Sequence, residues 1–404
     1  MNIVELYLIT TVIFVSVIYA FQLFLYVYAT KRSSLLREAK KYLGKNLGVE
    51  PLITLIIPMY KESEIISITL NSVSRLRYPK EKLQVILALE TDDLDTIETL
   101  KRVCKVIKEE QNLPRLIMFR NLLIEIAYNN EPRVKNKPSA LNEAIKIARG
   151  DIVAIYDAED IPHPEHPLIA ASILSNNSVA AIQFTRAVDN YSDNILTKAQ
   201  SIEFHIWYNY LEPTIAKLMN SAVIAGSGYY IKRNILENLN FWNSKSPTED
   251  LDLTFKLIAN GHKIVLIDVP VKTQGIPFFK FLLSQRSRWI RGALLTIPSA
   301  IRALPYSIPL AIITILLPIS SIVVQSWPMV SLFINNQLAH IFIVPLVLSI
   351  SSYVLIYRLL NPRSFSYLLL ITLIALINAL AVWIAIIELI IHPYKWNKTV
   401  HVKR

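Results

Sequence analysis

Long apolar runs near both ends of the chain set the first limit on its fold. Residues 6–29 are nearly all apolar, and three further runs cover residues 308–330, 339–357 and 366–391. A transmembrane helix needs about 20 consecutive apolar residues, so each run is long enough to cross a bilayer. The chain is 53% hydrophobic and only 18% charged, which is too apolar for an ordinary soluble protein. We therefore expect a membrane protein with a soluble part between its apolar ends.

The charges around the first apolar run predict its orientation. No basic stretch precedes the run and no small-residue cleavage site follows it, which argues against a removed signal peptide. Six basic residues come directly after it: Lys31, Arg32, Arg37, Lys40, Lys41 and Lys45. By the positive-inside rule this side faces the cytosol. We expect a multi-pass protein of the plasma membrane whose soluble domain is cytosolic.

The C-terminal loops leave part of the topology open. The loop at residues 331–337 has no charge and is typical of an outside loop, whereas Arg358 and Arg363 indicate an inside loop. The basic tail would then lie outside, against the charge rule. Either the last run does not fully cross the membrane or the number of spans is different.

The middle of the chain has the pattern of an α/β domain. Strands are predicted at residues 52–57, 83–89 and 152–156, and helices at 62–76, 139–149 and 251–259. Ser139 is the expected cap of the second helix, and Gly150 its stop. Strands that alternate with helices predict a mostly parallel, doubly wound sheet.

These patterns divide the chain into six segments. They are an N-terminal transmembrane helix (1–30), a basic cytosolic linker (31–50), a soluble domain (51–275), interfacial amphipathic helices (276–303), a C-terminal transmembrane region of about three spans (304–391) and a basic tail (392–404).

Composition narrows the classes of function. The formal net charge of +11 is compatible with nucleic acid, anionic lipid or a phosphorylated ligand. The eight glycines form no Walker-type or dinucleotide-binding loop. The single cysteine, Cys104, allows no internal disulfide, so nothing in the chain requires an oxidising compartment.

Acidic residues follow two of the predicted strands. They are Glu90, Asp92 and Asp93 after the second strand, and Asp157, Glu159 and Asp160 after the later one. In open parallel sheets, ligands bind beyond the carboxyl ends of the strands. Like charges placed together are costly unless a cation compensates them, and oxygen ligands suit Mg²⁺ or Mn²⁺. We therefore expect a divalent-ion site here; the alternative is that these acids are helix caps and solvated loop residues.

Two further groups have both a catalytic and a structural interpretation. Glu249 and Asp250 open a helix, where acids also favour the helix dipole. Gln285, Arg288 and Trp289 fall on one face of a predicted helix. That face offers an amide, a guanidinium that grips phosphate and an indole plate. The alternative is an amphipathic helix at the membrane surface.

In that alternative, Arg286 and Arg291 meet lipid headgroups and Trp289 joins the aromatic belt. His163 and His166 lie among prolines, where a plain turn is preferred to a metal site. Three aromatic residues could line a path for a sugar by stacking, but packing between helices is the preferred interpretation: Trp207, Tyr208 and Tyr210.

Taken in order, six motifs resemble the family 2 membrane glycosyltransferases, the group with cellulose, chitin and hyaluronan synthases. The motifs are IPMYKE (57–62), ETDD (90–93), KPSALNEA (137–144), DAED (157–160), TED (248–250) and QRSRW (285–289). The last has the Q-x-x-R-W signature. Residues 183–264 and 396–401 are also similar to the exopolysaccharide and β-glucan synthase branch. Two departures from the family pattern are Lys61 where Asn is usual and D-A-E-D in place of a simple D-x-D.

The resemblance implies a GT-A fold and an inverting enzyme that uses a nucleotide-sugar donor, UDP-glucose or UDP-N-acetylglucosamine, with Mg²⁺ or Mn²⁺. It assigns donor binding to Pro58, Tyr60, Glu62, Asp92, Asp93, Lys137, Asp157, Gln285 and Arg288. It assigns metal binding to Asp157, Glu159 and Asp160, the general base to Asp250 with Glu249 next, and acceptor stacking to Trp289.

The acceptor is left open by the sequence. A growing glycan is the leading expectation. The first alternative is a lipid that receives one sugar, as with ceramide glucosyltransferases, and the second is a non-catalytic membrane protein that binds nucleotide sugar. Membrane lipids are expected partners, and nucleic acid is not.

Overall fold

The computed structural model describes residues 3–31, 50–129, 135–330, 340–360 and 365–394. Several segments whose charge, or lack of charge, bears on the predicted orientation lie outside these ranges. They are the basic residues from Arg32 to Lys45, the uncharged 331–337 loop, Arg363 and the basic residues of the tail. The described strands are β1 (Ile53–Met59), β2 (Leu83–Glu90), β3 (Lys105–Glu110), β4 (Leu113–Phe119), β5 (Leu122–Asn129), β6 (Ile152–Ile155), β7 (Val179–Val188), β8 (Tyr229–Lys232) and β9 (Lys263–Thr273).

The helices of the soluble part surround this sheet, and those at the two ends are long and apolar. The described helices are α1 (Ile3–Lys31), α2 (Ile66–Ser74), α3 (Leu94–Val103), α4 (Lys137–Ala144), α5 (His166–Leu174), α6 (Ile195–Ile206), α7 (Glu212–Met219), α8 (Arg233–Asn238), α9 (Glu249–Ala259), α10 (Phe279–Leu295), α11 (Ile297–Arg302), α12 (Ile308–Ala311), α13 (Leu317–Val330), α14 (Ile343–Leu359) and α15 (Ser366–Ile391). π-Helical turns at Trp207–Leu211 and Ile312–Leu316 join α6 to α7 and α12 to α13.

The strands form one nine-stranded sheet in the order β3-β4-β5-β2-β1-β6-β8-β7-β9. The pairs β1–β2, β1–β6, β2–β5 and β7–β9 are parallel. The pairs β3–β4, β4–β5, β6–β8 and β7–β8 are antiparallel. The α/β class is confirmed, but the expectation of a mostly parallel sheet is wrong. The sheet is mixed because β8 runs against both of its neighbours and β3–β4 form an antiparallel edge.

The centre of the sheet is apolar on both faces. All eight residues of β2 are buried, as are six of the seven in β1, which is typical of parallel strands covered by helices on each side. The register places Thr54 beside Gln84, and the Thr54 hydroxyl donates to Gln84 Oε1 at 2.7 Å. This buried polar pair is therefore satisfied within the sheet.

The predicted boundaries of α4 are corrected by its backbone. The helix begins at Lys137 and is capped by Asn136, whose side chain accepts from the Ser139 N–H at 3.0 Å, so Ser139 is not the cap. Gly150 is not the helix stop either. A Cβ at Gly150 would lie 2.4 Å from the Thr54 nitrogen, so glycine is required here for close approach to β1.

The α/β domain and the long apolar helices share a hydrophobic core. One buried cluster includes Leu25 of α1, Phe255 of α9, Leu282 of α10 and Ile371 of α15. By length and composition, three helices are able to cross a membrane, at Glu5–Ala29, Ile308–Pro328 and Ser366–Ile391, and the helix Ile343–Leu359 is apolar but shorter. This shared core holds the α/β domain against the apolar helices.

Candidate active site

A cavity of about 1080 Å³ runs from the carboxyl edge of the sheet to the apolar helices. Pro58 and Tyr60 line it at the end of β1, and Asp157 and Glu159 line it after β6. Described residues of α1, α13, α14 and α15 line its other end. Two of the acids that follow β6, Asp157 and Glu159, therefore face a cleft that extends to the apolar helices.

Lys137 lies at the centre of the charged part of this cavity. Its ammonium donates to Asp157 Oδ1 at 2.5 Å and to the Gly226 carbonyl at 2.6 Å, and it lies 3.5 Å from Glu249 Oε1. Burial opposes the charge on Lys137, but Asp157 and Glu249 outweigh burial and hold its pKa above the ordinary value. The N-terminus of α4 thus supplies a fixed positive charge to the cavity.

The first turn of α9 supplies two carboxyl groups. Burial raises the pKa of both Glu249 and Asp250, although Lys137 opposes the rise. Asp250 Oδ1 accepts from the Leu251 N–H at 2.9 Å. Asp250 Oδ2 lies against Gly226, where a Cβ would be 3.0 Å away and where φ is +76°. Glycine is favoured at this position by both space and backbone, and the raised pKa suits a proton acceptor at neutral pH.

Asp160 differs from the other two predicted metal ligands. Its oxygens lie 3.2 and 3.3 Å from Arg186 Nη2, and it also accepts from the Ser227 hydroxyl. Its side chain is fully buried and does not line the cavity. Burial raises its pKa although Arg186 opposes this. The structure brings Asp157 and Glu159 to the cavity and places Asp160 behind the wall.

The acids present fit a divalent ion only if a ligand completes its coordination. Within the described ranges, no group of three His, Cys, Asp or Glu side chains converges as a metal site. Asp157 and Glu159 both line the cavity. One or two carboxylates with substrate phosphates are the usual set for Mg²⁺, so this pair of carboxylates matches that type of site.

The predicted face of α10 meets the cavity. Gln285, Arg288 and Trp289 all line it. The Arg288 guanidinium feels the negative charges of Glu249 and Asp250, but burial is stronger and lowers its pKa. Its Nη1 donates to the Pro247 carbonyl at 3.4 Å, which is a long contact for a hydrogen bond.

The alternative interpretation of α10 placed Arg286 and Arg291 in lipid headgroups, and this is wrong. Arg286 is 4% exposed and Arg291 is fully buried. Arg286 pairs with Glu203 at 2.5 Å and lies over the Trp289 ring at 4.3 Å. Arg291 pairs with Glu388 of α15 at 2.6 Å. Both arginines lie inside the protein because they pair with carboxylates of α6 and α15.

Of the acids predicted at the end of β2, Glu90 lines the cavity, whereas Asp92 and Asp93 do not. Asp93 Oδ2 accepts from the Lys61 backbone N–H at 2.5 Å, and Asp92 pairs with Lys135. Lys135 lines the cavity together with Glu62. Asp92 and Asp93 thus contact residues of the cavity rim, and their contact with a nucleoside stays a prediction.

One of the two candidate histidines lies in the protein interior. His166 is buried, bonded to the Tyr156 hydroxyl at 2.8 Å and to the Val269 carbonyl at 3.0 Å. Trp207 and Tyr208, in contrast, line the cavity from the π-helical turn.

Sequence reasoning missed Arg186, Glu203 and Asn378, which all line the cavity. Arg186 lies near the carboxyl end of β7, so the strand-end argument would have found it once β7 was recognised. Glu203 and Asn378 have no such signal, because each lies inside a helix and acquires its role only through packing.

The sequence is similar to those of known proteins. Residues 51–292 match the family model described as glycosyltransferase like family 2. A β-monoglucosyldiacylglycerol synthase of Nostoc sp. (strain PCC 7120 / SAG 25.82 / UTEX 2576) is 25% identical over 248 residues, 61% of this chain and 49% of that protein. A probable glycosyltransferase of Sulfolobus acidocaldarius is 25% identical over 285 residues, 70% of this chain and 57% of that protein.

The chain spans about half the length of the curated relatives it matches. Among solved structures, the mannosyltransferase PcManGT from Pyrobaculum calidifontis in complex with GDP-Man and Mn²⁺ overlaps with a TM-score of 0.47 and 19% identity, over 83% of this chain and 98% of that chain.

Proposed function

Because the chain belongs to the glycosyltransferase family 2-like proteins, with the α/β fold of the GT-A class, we propose that it transfers a hexose from a nucleotide-diphosphate donor and inverts the anomeric carbon. The expected donors are UDP-glucose and UDP-N-acetylglucosamine. Relatives named as glucosyl- and mannosyltransferases support a hexose. The cellulose, chitin and hyaluronan synthase branch stays a prediction.

One observation carries the proposal: Lys137, Asp157, Asp250 and Arg288 come from four separate elements and line one cavity. Burying two cations beside buried acids costs desolvation free energy. Such a cluster is therefore expected where it has a function. Perturbed ionisable groups in a cleft are typical of active sites. A sugar diphosphate has both the negative charge and the length to fill this part of the cavity.

The donor diphosphate would be bound by Lys137, Arg288 and Gln285. The Arg288 guanidinium presents a planar fork that matches phosphate oxygens. The nucleoside would lie against Pro58, Tyr60 and Glu62, where Asp93 fixes the backbone of the β1 loop through Lys61.

A divalent ion, Mg²⁺ or Mn²⁺, would be held by Asp157 and Glu159 together with the donor phosphates. Such an ion neutralises charge on a leaving diphosphate. Asp160 would act indirectly, because it holds Arg186 beside Asp157.

Asp250 would act as the general base. It takes the proton of the acceptor hydroxyl as the acceptor oxygen bonds to the anomeric carbon, while the bond from that carbon to the diphosphate breaks. Attack opposite the leaving group gives the β-linked product. Trp289 would stack on the acceptor. The acceptor is either a growing glycan or a lipid.

The orientation of the protein is also a proposal. Lys31 and the basic residues after it favour a cytosolic soluble domain in the plasma membrane. Protease added to sealed, right-side-out cells should leave residues 51–275 intact. Cleavage in that range would reverse the orientation.

Binding of nucleoside diphosphates tests the donor site. The purified full chain in detergent should bind UDP or GDP with Mn²⁺ and lose at least tenfold in affinity after chelation. Asp157→Asn should show the same loss with Mn²⁺ present, whereas Asp95→Asn, an exposed aspartate in the first turn of α3, should bind normally. Failure of both nucleotides to bind under any condition would rule out the proposal.

A further inference from the structure

Two parts of the cavity lining remain outside the donor site, namely the wall formed by the apolar helices and a polar cluster of Glu203, Arg286 and Asn378. Described residues of α1, α13, α14 and α15 contribute only apolar and uncharged polar side chains to the lining. Tyr353, Ile374 and Ala379 are examples. This wall lies in the same cavity as Asp250, so a molecule resting against it has a path to the proposed base.

The polar cluster joins the soluble domain to the apolar helices. Glu203 comes from α6, Arg286 from α10 and Asn378 from α15. Glu203 accepts from Arg286 Nη2 at 2.5 Å and from Asn378 Nδ2 at 3.0 Å. Arg286 is 4% exposed, and its Nε has no hydrogen-bond partner among the described residues. All three residues of the cluster line the cavity, so the cluster offers polar side chains to a ligand at the boundary between the two parts of the lining.

From these features we infer that the acceptor is a neutral lipid whose free hydroxyl faces Asp250, whose other headgroup oxygens bind the Glu203–Arg286–Asn378 cluster and whose alkyl chains lie against α1, α13, α14 and α15. The inference rests on the proposed function, because it names the second substrate of the same site.

Charge excludes a phosphorylated lipid from this position. The Arg286 cation is already neutralised by Glu203, so a phosphate there would meet the Glu203 carboxylate without an unpaired cation to bind it. The uncharged ester oxygens of a neutral lipid accept hydrogen bonds, and they therefore match the guanidinium and amide N–H donors of the cluster.

The side chains that α14 and α15 contribute to this wall are mostly apolar, which argues against a growing glycan. A glycan carries hydroxyls along its whole length, and removing water from them against apolar side chains is unfavourable. Alkyl chains gain from the same contact. The lining thus favours a molecule that is polar at one end and apolar over the rest.

Transfer into vesicles tests the acceptor class. The full chain is reconstituted in phosphatidylcholine vesicles with radiolabelled sugar donor and dioleoylglycerol, dolichyl phosphate or soluble cello-oligosaccharide. We expect the label to enter the chloroform phase with dioleoylglycerol, at least tenfold above vesicles that lack it. Label that goes mainly to dolichyl phosphate, to oligosaccharide or to an ethanol-insoluble polymer would overturn the inference.

Variants of α15 locate the lipid. Ala379→Trp should fill the cavity and lower transfer to dioleoylglycerol at least tenfold, while affinity for nucleoside diphosphate stays unchanged. Leu380→Trp is the matched control, because Leu380 is 52% exposed and does not line the cavity. Normal lipid transfer by a folded Ala379→Trp would overturn the inference.

If Ala379→Trp does not fold, Asn378→Leu gives the answer. It should raise the KM for dioleoylglycerol and leave the KM for the donor unchanged, and equal changes in both would contradict the headgroup site. The affinity for nucleoside diphosphate distinguishes failure of the lipid inference from failure of the proposed function. A chain that binds nucleotide but transfers no sugar to the lipid refutes the acceptor alone. A chain that binds no nucleotide refutes the proposed function.

Discussion

Arg288 differs from the two arginines beside it in what it meets. It lines the cavity near Glu249 and Asp250, whereas Arg286 and Arg291 are each paired with one carboxylate. Arg288→Lys keeps the charge and loses the planar fork. We expect transfer activity to fall by the equivalent of about 2–3 kcal/mol, the size of a charge-assisted hydrogen bond.

Steady-state transfer assays at equal expression check this expectation. Lysine at Arg286 or Arg291 is no neutral control, because both are buried in ion pairs. The exposed Arg302, in the last turn of α11, gives one, and Arg302→Lys should be near normal. Equal, small losses at Arg288 and Arg302 would remove Arg288 from phosphate binding.

The pH dependence of transfer should report the raised pKa of Asp250. The base must be ionised to accept a proton, so kcat/KM falls as the pH drops through its pKa. Burial raises this pKa, and the acid limb should lie above the ordinary aspartate value of about 4. A profile of kcat/KM from acidic to mildly alkaline pH checks this. An acid limb at the ordinary value would contradict the assignment.

Much of the site could be predicted from residues, because its chemistry lies in short motifs. Lys137, Asp157 and Arg288 were all expected in one site, and all line one cavity. The partner of each charge could not be predicted. The pairing of Asp160 with Arg186 depends on where β7 lies in the sheet, which no local pattern specifies.

At the scale of elements, α10 and α15 are joined by a buried ion pair. Arg291 is fully buried and lies 2.6 Å from Glu388 Oε2, which also accepts from the Ser287 hydroxyl at 2.6 Å. Removing one partner of such a pair leaves a charge in the interior. Because the Glu388 side chain is 24% exposed, we expect Glu388→Gln to destabilise the protein by about 2–3 kcal/mol, somewhat below a fully buried pair.

Thermal unfolding in detergent measures this effect. The double variant Arg291→Met with Glu388→Leu replaces the pair by apolar side chains, and it should recover most of the loss. Equal melting temperatures for wild type and Glu388→Gln would show that the pair does not hold α10 against α15.

Strands were predictable where burial is continuous. β1, β2 and β6 are almost continuously buried and mostly apolar, and each lies within about two residues of its expected bounds. β3 was not predicted because five of its six residues are exposed and four are charged. β8 was not predicted either, and its direction depends on long-range pairing rather than on local composition.

At the scale of the molecule, the α/β domain and the apolar helices form one structural unit. They share a hydrophobic core, and one cavity extends from the sheet edge to the apolar helices. A donor bound at Lys137 and an acceptor from the membrane would thus meet at Asp250. This arrangement explains why apolar runs flank an α/β domain in one chain.

Asp250→Asn tests this account most directly. Sugar transfer and nucleoside diphosphate affinity are measured together on the full chain in vesicles, with Asp95→Asn as a control for an aspartate in the first turn of a helix. The account predicts that Asp250→Asn lowers transfer by roughly a hundredfold or more, the range of a lost general base, with unchanged nucleotide affinity and a normal control. Near-normal transfer by Asp250→Asn would contradict the account and move the base elsewhere, with Glu249 the next candidate.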